Sequence, residues 1–263
     1  MSDLLLSFFL GLVQGLTEFL PISSSAHLLL PSLIFGSNDL GLPFDIAVHA
    51  GTLVAVIYYF RKELILMTKS IFTNDDRLIE HRKLSTYLII ATIPVIFAGL
   101  IFSNIIQQRI FSISSIAISN LFFAVILLFA FLTRKSNKNL FQLTLYGALF
   151  IGIVQCFALI PGASRSGTAI TAALLIGMNL KDSSKFSFIL GIPTILGALV
   201  LLIIEIQTLD ITYNSMNLFI GFFVSMIFAF FTIKLFLDFV EKIGMIPFVT
   251  YRIFLAALLF LLI

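Results

Sequence analysis

Long apolar stretches, separated by short polar or proline-containing breaks, run the length of this 263-residue chain. Apolar stretches of a dozen or more residues are typical of helices, and those of about 20 residues can cross a bilayer. The pattern predicts an all-α protein whose helices cover 4–20, 25–36, 43–60, 85–106, 113–133, 140–160, 166–178, 186–205, 216–238 and 247–263.

Two of the predicted helices, 25–36 and 166–178, are too short to cross, and each follows a break rich in proline and serine. We interpret 4–36 and 140–178 as helix-loop-helix hairpins that enter the membrane and return. Six full crossings remain. The predicted fold is an all-α polytopic membrane protein with six transmembrane helices and two re-entrant hairpins, in one membrane domain of residues 1–263.

Composition agrees with a membrane protein. Hydrophobic residues make up 60% of the chain and charged residues 11%, whereas soluble domains carry about a quarter charged residues. The net charge of +3 does not indicate nucleic-acid binding, because the basic residues lie in short loops between apolar stretches. The single cysteine, Cys156, excludes an intramolecular disulfide and a cysteine metal cluster.

The basic residues indicate the orientation of the crossings, because cytoplasmic loops carry an excess of Lys and Arg. If loop 61–83 is cytoplasmic, six crossings place the other basic loops on the same side. Loops 37–42, 107–112 and 206–215 then lie outside with both termini, and Arg109 is the one basic residue in these outer loops. The thirteen basic residues assigned to the cytoplasmic side, of 16 in the chain, are Arg61, Lys62, Lys69, Arg77, Arg82, Lys83, Arg134, Lys135, Lys138, Lys181, Lys185, Lys234 and Lys242.

A weak internal repeat accompanies this topology. Each half, about 1–133 and 140–263, contains one hairpin and three crossings, and an odd number of crossings gives the halves opposite orientations. The sequence therefore predicts an inverted-topology repeat. The matched segments and residues are GLVQ at 11–14 with GIVQ at 152–155, Ser23 with Ser164, Ser25 with Ser166, Phe44 with Phe186 and Thr52 with Thr194.

The break in the second hairpin, IPGASRSGTAIT at 160–171, has Arg165 as its only charge. A guanidinium near the middle of the bilayer is costly in free energy unless it faces protein, water or an anion. Pro161 and Gly162 end one helix, and Ser164 can cap the next. An arginine beside a helix N-terminus is the outline of a phosphate site.

The break in the first hairpin, QGLTEFLPISSSAH at 14–27, contains an intramembrane carboxylate. Gln14 and Glu18 are four residues apart and share one helix face. Ser23 or Ser24 can cap the following short helix, and His27 lies one turn further. If the two breaks meet, Glu18 and His27 approach Arg165, which would set acid/base groups beside a phosphate clamp.

A further polar pair, Asp45 and His49, is four residues apart on the third predicted helix. We interpret it as structural or supporting, with direct substrate or proton contact as the alternative. Gly147, Gly152, Gly191 and Gly197 are interpreted as points of close helix packing.

The two breaks resemble the signature motifs of the undecaprenyl-diphosphate phosphatase (BacA/UppP) family, and the similarity covers essentially the whole chain, including FDIAVHAGTLVAV at 44–56. The family's second motif, Pro-Gly-x-Ser-Arg-Ser-x-x-Thr, is matched from Pro161 to Ser166. Its final threonine is not matched, since Ala169 stands there and Thr168 lies one position earlier. The first motif is matched by Gln14, Glu18, Ser23, Ser24 and His27.

This resemblance implies hydrolysis of undecaprenyl diphosphate at a site open to the outer face of the bacterial inner (plasma) membrane, which would recycle the lipid carrier for cell-wall synthesis and confer bacitracin resistance. The implied partners are a polyprenyl diphosphate lipid and the bilayer, and a homodimer is left open. The implied catalytic residues are Glu18, Ser24, His27 and Arg165. The implied substrate-binding residues are Gln14, Ser23, Gly162, Ser164, Ser166, Gly167 and Thr168.

Two chemical routes fit these residues. Ser24 could attack phosphorus with His27 as acid/base, or Glu18 and His27 could activate water directly. The family is similar to metal-assisted phosphatases, which implies Mg²⁺ or Ca²⁺ at Glu18 and Gln14, although one carboxylate and a glutamine make a thin shell. The rival interpretation is a secondary transporter or flippase for a prenyl-phosphate lipid, which would also carry inverted repeats and a charged midplane.

Overall fold

The computed structural model describes residues 2–102, 112–208 and 213–262. Arg109, most of the predicted loop 107–112 and part of the predicted loop 206–215 lie outside the described residues. Within the described ranges the chain is helical, as predicted. Its α-helices are α1 (Asp3–Thr17), α2 (Ser24–Phe35), α3 (Gly41–Tyr59), α4 (Arg61–Phe72), α5 (Ile79–Ile101), α6 (Ile113–Thr133), α7 (Leu145–Gln155), α8 (Arg165–Leu175), α9 (Leu180–Thr208), α10 (Ser215–Ile243) and α11 (Ile246–Phe260).

Five of the described helices are long and apolar enough to cross a bilayer: α3, α5, α6, α9 and α10. Their surfaces carry many large apolar side chains, among them Phe97, Phe122 and Phe231. This arrangement fits a multi-pass protein surrounded by lipid. The predicted sixth crossing corresponds to α11, which has 15 residues and is about 22 Å long at 1.5 Å per residue.

The loop predicted at 61–83 is wrong, because most of it is helical. Helix α4 occupies its first half, and α5 already begins at Ile79. The charged residues hid an amphipathic pattern in which Met67 and Ser70 are buried. Arg82 closes the end of α4 by donating from Nε to the carbonyl of Ser70 at 2.8 Å and from Nη2 to that of Thr73 at 2.5 Å.

Each segment predicted as a hairpin contains two α-helices joined by a break. The first break, residues 18–23, separates α1 from α2, and the second break, residues 156–164, separates α7 from α8. Ser23 and Ser164 immediately precede the second helix of each hairpin, and both have positive φ, 70° and 73°. This backbone region is rare for residues other than glycine.

The two serines use their hydroxyl groups differently. Ser164 caps α8 as predicted, because its Oγ accepts a hydrogen bond from the N–H of Gly167 at 3.1 Å. Ser23 occupies the corresponding position before α2, but its side chain does not cap that helix. Instead its Oγ accepts from the N–H of Gly162 at 3.2 Å, which links the two breaks directly.

Close helix packing brings the breaks together. Helix α1 packs on α10, and α7 packs on α5. Helix α3 packs on α10 and α9, α9 also contacts α5 and α8, and α6 packs on α11. The backbones approach most closely at glycines: a Cβ on Gly15 would lie 2.7 Å from the carbonyl oxygen of Ser225, and one on Gly152 would lie 2.8 Å from Cα of Ala91. Gly197 makes only an ordinary contact, since its Cβ would lie 3.8 Å from Ile96.

We expect Gly152→Val to lower the thermal unfolding temperature of the detergent-solubilised protein, because the new side chain would force α7 away from α5. Overpacking of this kind typically costs about 1–3 kcal/mol. Gly197→Val is the matched control, since its side chain meets open space beside Ile96. Equal unfolding temperatures for the two variants would contradict the close packing of α7 on α5.

Candidate active site

The two breaks contact each other inside the helix bundle. Besides the bond from Gly162 to Ser23, the hydroxyl of Ser166 donates to the carbonyl of Leu20 at 2.8 Å. Each break therefore presents a group that the other needs for hydrogen bonding. The second helices of both hairpins begin at this junction, and the polar side chains of both motifs gather around it.

Glu18 is the centre of the cluster. It immediately follows α1 and is 7% exposed. Its Oε1 accepts from Nη2 of Arg165 at 2.9 Å. Its Oε2 accepts from Oγ of Ser24 at 2.6 Å and from Nε2 of Gln14 at 3.1 Å. Gln14 and Glu18 thus share one face, as their spacing predicts, and the carboxylate has partners from both hairpins.

Arg165 is the first residue of α8, and its guanidinium lies against α9. Nη1 donates to the carbonyl of Ser187 at 3.0 Å, while the buried Nε has no hydrogen-bond partner among the described residues. Gly191 makes room for this side chain, because a Cβ there would overlap the guanidinium. The arginine is therefore anchored on one edge, and its Nε–H remains available to an acceptor.

His27 makes its hydrogen bonds outside the Glu18 cluster. Its Nδ1 is 2.7 Å from the carbonyl oxygen of Ser23, and its Nε2 is 2.6 Å from the hydroxyl of Tyr251, whose ring stacks on the imidazole. A carbonyl only accepts, so Nδ1 carries the proton, and the Nε2 of neutral His27 accepts from Tyr251. Both ring nitrogens are thereby occupied by groups other than Glu18 and Arg165.

A different histidine lies beside Glu18. Nε2 of His49 is 3.9 Å from Oε2 of Glu18, while its Nδ1 is 2.7 Å from the carbonyl of Asp45. The four-residue spacing thus lets the His49 ring contact the backbone carbonyl of Asp45 within α3. This contact directs Nε2 of His49 toward the carboxylate of Glu18. The sequence does carry the signal, a polar pair in an otherwise apolar helix, but it does not show which way the pair points.

The remaining predicted residues have partners at the junction. Oγ of Ser164 is 3.2 Å from Oγ of Ser166, and the hydroxyl of Thr168 donates to the carbonyl of Arg165 at 2.9 Å. The N–H groups of Gly162 and Gly167 already donate to Ser23 and Ser164. These two N–H groups are therefore occupied in this structure.

Few oxygen atoms at the site remain for a metal ion. No group of three or more His, Cys, Asp or Glu residues that could hold a metal occurs in the described part of the chain. Both oxygens of Glu18 already accept hydrogen bonds. The buried Oε1 of Gln14 has no hydrogen-bond partner in the described part of the chain and is an unsatisfied acceptor beside the carboxylate. Gln14 and Glu18 thus fit a hard cation only if other oxygens complete its coordination.

Sequence reasoning missed one charged residue at the junction, Arg252 on α11. It is fully buried and donates to carbonyl groups of both breaks. Ser187, the carbonyl partner of Arg165, was missed as well. Neither belongs to a local motif, because each reaches the site only through the packing of a distant helix.

We expect the Glu18–Arg165 pair to contribute strongly to stability, because removing one partner of a buried ion pair typically costs about 3–5 kcal/mol. Glu18→Gln and Arg165→Gln should each lower the free energy of unfolding, and the double variant should lose less than the sum of the two. The measurement is denaturant unfolding in detergent of the four proteins of this cycle.

The partly exposed pair Lys185–Glu63, with Nζ and Oε1 3.0 Å apart, is the matched control. A cycle on this pair should give a coupling of about 0–1 kcal/mol. Additive losses at Glu18 and Arg165 would contradict a strong buried pair.

Comparisons with known proteins cover nearly the whole chain. A family model described as bacitracin resistance protein BacA matches residues 7–258. An undecaprenyl-diphosphatase of Saccharophagus degradans is 45% identical over 99% of this chain and 98% of its own length. One of Alcanivorax borkumensis is 44% identical over 95% of this chain and 96% of its own length. One of Marinobacter nauticus is 40% identical over 98% of both chains.

Proposed function

This chain belongs to the bacitracin resistance protein BacA family, and we propose that it is an integral membrane phosphatase that hydrolyses undecaprenyl diphosphate to undecaprenyl phosphate and inorganic phosphate. The relatives named undecaprenyl-diphosphatase support this substrate and reaction. The reaction would recycle the lipid carrier of cell-wall synthesis and confer bacitracin resistance.

The observation that carries the proposal is the 2.6 Å hydrogen bond from Ser24 to Glu18, beside Arg165. A hydroxyl that donates to a carboxylate is oriented for loss of its proton. A guanidinium next to it can stabilise charge on a phosphoryl group. These three side chains provide a nucleophile, a base and an anion clamp.

In the serine route, the Oγ–H proton of Ser24 moves to Oε2 of Glu18 as Oγ forms a bond to the terminal phosphorus. The bond from that phosphorus to the bridging oxygen breaks, and its electron pair leaves with the lipid monophosphate. Water then hydrolyses the phosphoserine to inorganic phosphate and free Ser24. In the alternative route Glu18 takes the proton from water, and the water oxygen attacks phosphorus directly.

Arg165 is proposed to change partners during this step. Its Nε–H, which has no partner among the residues that the structure describes, and its Nη2–H, which binds Glu18, lie on one edge of the guanidinium. Once Glu18 has taken a proton it is neutral, and its attraction for the arginine falls. The edge formed by Nε and Nη2 is then free to hold two phosphate oxygens as negative charge develops on the leaving group.

The histidines have distinct proposed roles. His27 fixes the carbonyl of Ser23 and therefore the backbone that precedes Ser24. Its use as an acid/base, which the family motif implies, requires that its bond to Tyr251 open. His49 already faces Glu18, and its charged form would stabilise the ionised carboxylate.

We keep a divalent cation, Mg²⁺ or Ca²⁺, as part of the proposal. The unpartnered Oε1 of Gln14 beside Glu18 supports it. The two residues would supply the protein ligands, and most of the remaining oxygens would come from the diphosphate and water. Such an ion would supply charge neutralisation at the phosphoryl oxygens.

The inverted repeat and the six crossings, with α11 as the sixth, are also proposed. Corresponding elements of the two halves make corresponding contacts, since α1 packs on α10 as α7 packs on α5. The matched serines share their positive φ, and each hydroxyl lies near that of the serine two residues later, at 3.3 Å from Ser23 to Ser25 and 3.2 Å from Ser164 to Ser166. The active site would open to the outer face, and a homodimer stays a prediction.

Orientation can be measured with reporters. We expect a reporter inserted beside Asp75 to read as cytoplasmic and one fused to the C-terminus to read as external. An insertion beside Lys135 is the control and should agree with Asp75. If the C-terminal fusion and the Asp75 insertion read on the same side, the six-crossing arrangement is wrong.

The enzyme and the rival transporter or flippase are separated by an assay without compartments. We expect the purified protein in detergent to release phosphate from undecaprenyl diphosphate, and Ser24→Ala, Glu18→Gln and Arg165→Lys to lose that activity. Arg165→Lys keeps the positive charge but loses the planar guanidinium that can bind two phosphate oxygens at once. Losing one strong transition-state contact typically costs about a hundred- to a thousandfold in rate.

Lys185→Ala, which lies on the side predicted to be cytoplasmic, is the control and should retain turnover. Binding of the diphosphate lipid without release would favour the transporter. A phosphoserine at Ser24 trapped by rapid acid quench would select the serine route, and full activity of Ser24→Ala would exclude it.

A further inference from the structure

Arg252 is a buried cation that holds both breaks at once. It lies on α11 with its side chain fully buried. Nη1 donates to the carbonyl of Pro21 in the first break at 3.3 Å. Nη2 donates to the carbonyls of Gly162 and Ala163 in the second break, at 2.7 and 3.3 Å.

Asn120 on α6 fixes the orientation of this guanidinium. Nε of Arg252 donates to Oδ1 of Asn120 at 2.8 Å, and Nδ2 of Asn120 donates back to the carbonyl of Arg252 at 2.8 Å. The side chain is therefore held from one side by α6 while its other nitrogens reach the breaks. In the second break, the carbonyls that it binds belong to the residues two and three positions before Arg165.

The charge of Arg252 is not balanced in the way that the charge of Arg165 is. Every hydrogen bond that it donates within the described residues goes to a carbonyl or amide oxygen, which is neutral. Glu18 and Arg165 cancel each other as an ion pair. With Arg252 counted, the junction carries a net positive charge. The attraction of this charge for an anion is stronger in a buried site than in an exposed one.

We propose that Arg252 is a positioning residue for the diphosphate. It fixes the positions of the two breaks relative to each other by binding their carbonyl groups. It also supplies a net positive charge, which the Glu18–Arg165 pair does not have. The inference rests on the proposed function, because it assigns Arg252 to the anion site of that reaction. It predicts separate effects for the shape and for the charge of the side chain.

Arg252→Lys keeps the charge but can reach fewer of the carbonyls, so the two breaks are no longer fixed relative to each other. We expect its kcat to fall about tenfold or more while its KM stays within about threefold of the wild type. Arg252→Met removes the charge as well, and we expect its KM to rise about tenfold or more in addition.

Arg82 provides the matched control, because it also donates to two backbone carbonyls, those of Ser70 and Thr73 at the end of α4, and to neither break. Arg82→Lys and Arg82→Met should alter the unfolding temperature without changing kcat or KM. All rates are measured well below the lowest unfolding temperature of the set. If Arg252→Met does not fold, Arg252→Lys decides the positioning role.

Binding of inorganic diphosphate, measured as a rise in unfolding temperature, tests the charge independently of turnover. We expect the wild type and Arg252→Lys to show the rise and Arg252→Met to lose it. The proposal is overturned if kcat and KM of Arg252→Lys stay within twofold of the wild type, or if Arg252→Met binds diphosphate as the wild type does. Absence of phosphate release by the wild type would reject the proposed function instead, and the binding arm would still decide whether Arg252 serves an anion site.

Discussion

The buried ion pair between Glu18 and Arg165 is the interaction on which the candidate site depends, because each charge would be costly in an apolar interior without the other. The pair joins the end of α1 to the start of α8, so it also joins the two hairpins. A ligand that competes for Arg165 must therefore act on the contact that holds the hairpins together. The proton transfer proposed for Glu18 weakens that contact at the moment when the arginine is needed elsewhere.

The two breaks leave backbone carbonyl and N–H groups without the partners that a continuous helix would provide. Carbonyl and N–H groups released at a break need partners inside the protein, because lipid offers none. Here the breaks satisfy each other through Ser23, Ser166 and Leu20, and Arg252 takes carbonyls that would otherwise remain unpaired. The polar groups that make the site reactive are thus the same groups that allow irregular backbone within an apolar bundle.

Much of this could be predicted from sequence, since it follows from local chemistry. The apolar stretches gave the helices, Ser164 was recognised as a cap, and the spacing of Gln14 and Glu18 put them on one face. Helix α4 was missed because its charges suggested a loop. The place of His49 and Arg252 in the site was not predicted. It depends on which distant helices pack beside the breaks, and no local sequence pattern shows that packing.

The positive φ of Ser23 and Ser164 bears on how such a site can change over time. An L-residue in this region carries strain of about 1–3 kcal/mol, which glycine would avoid. At both positions the hydroxyl group takes part in the junction, one by receiving Gly162 and the other by capping α8. A change to glycine would relieve the strain at either position but would remove the hydroxyl that the junction uses, so neither strain can be relieved without the loss of a hydrogen bond there.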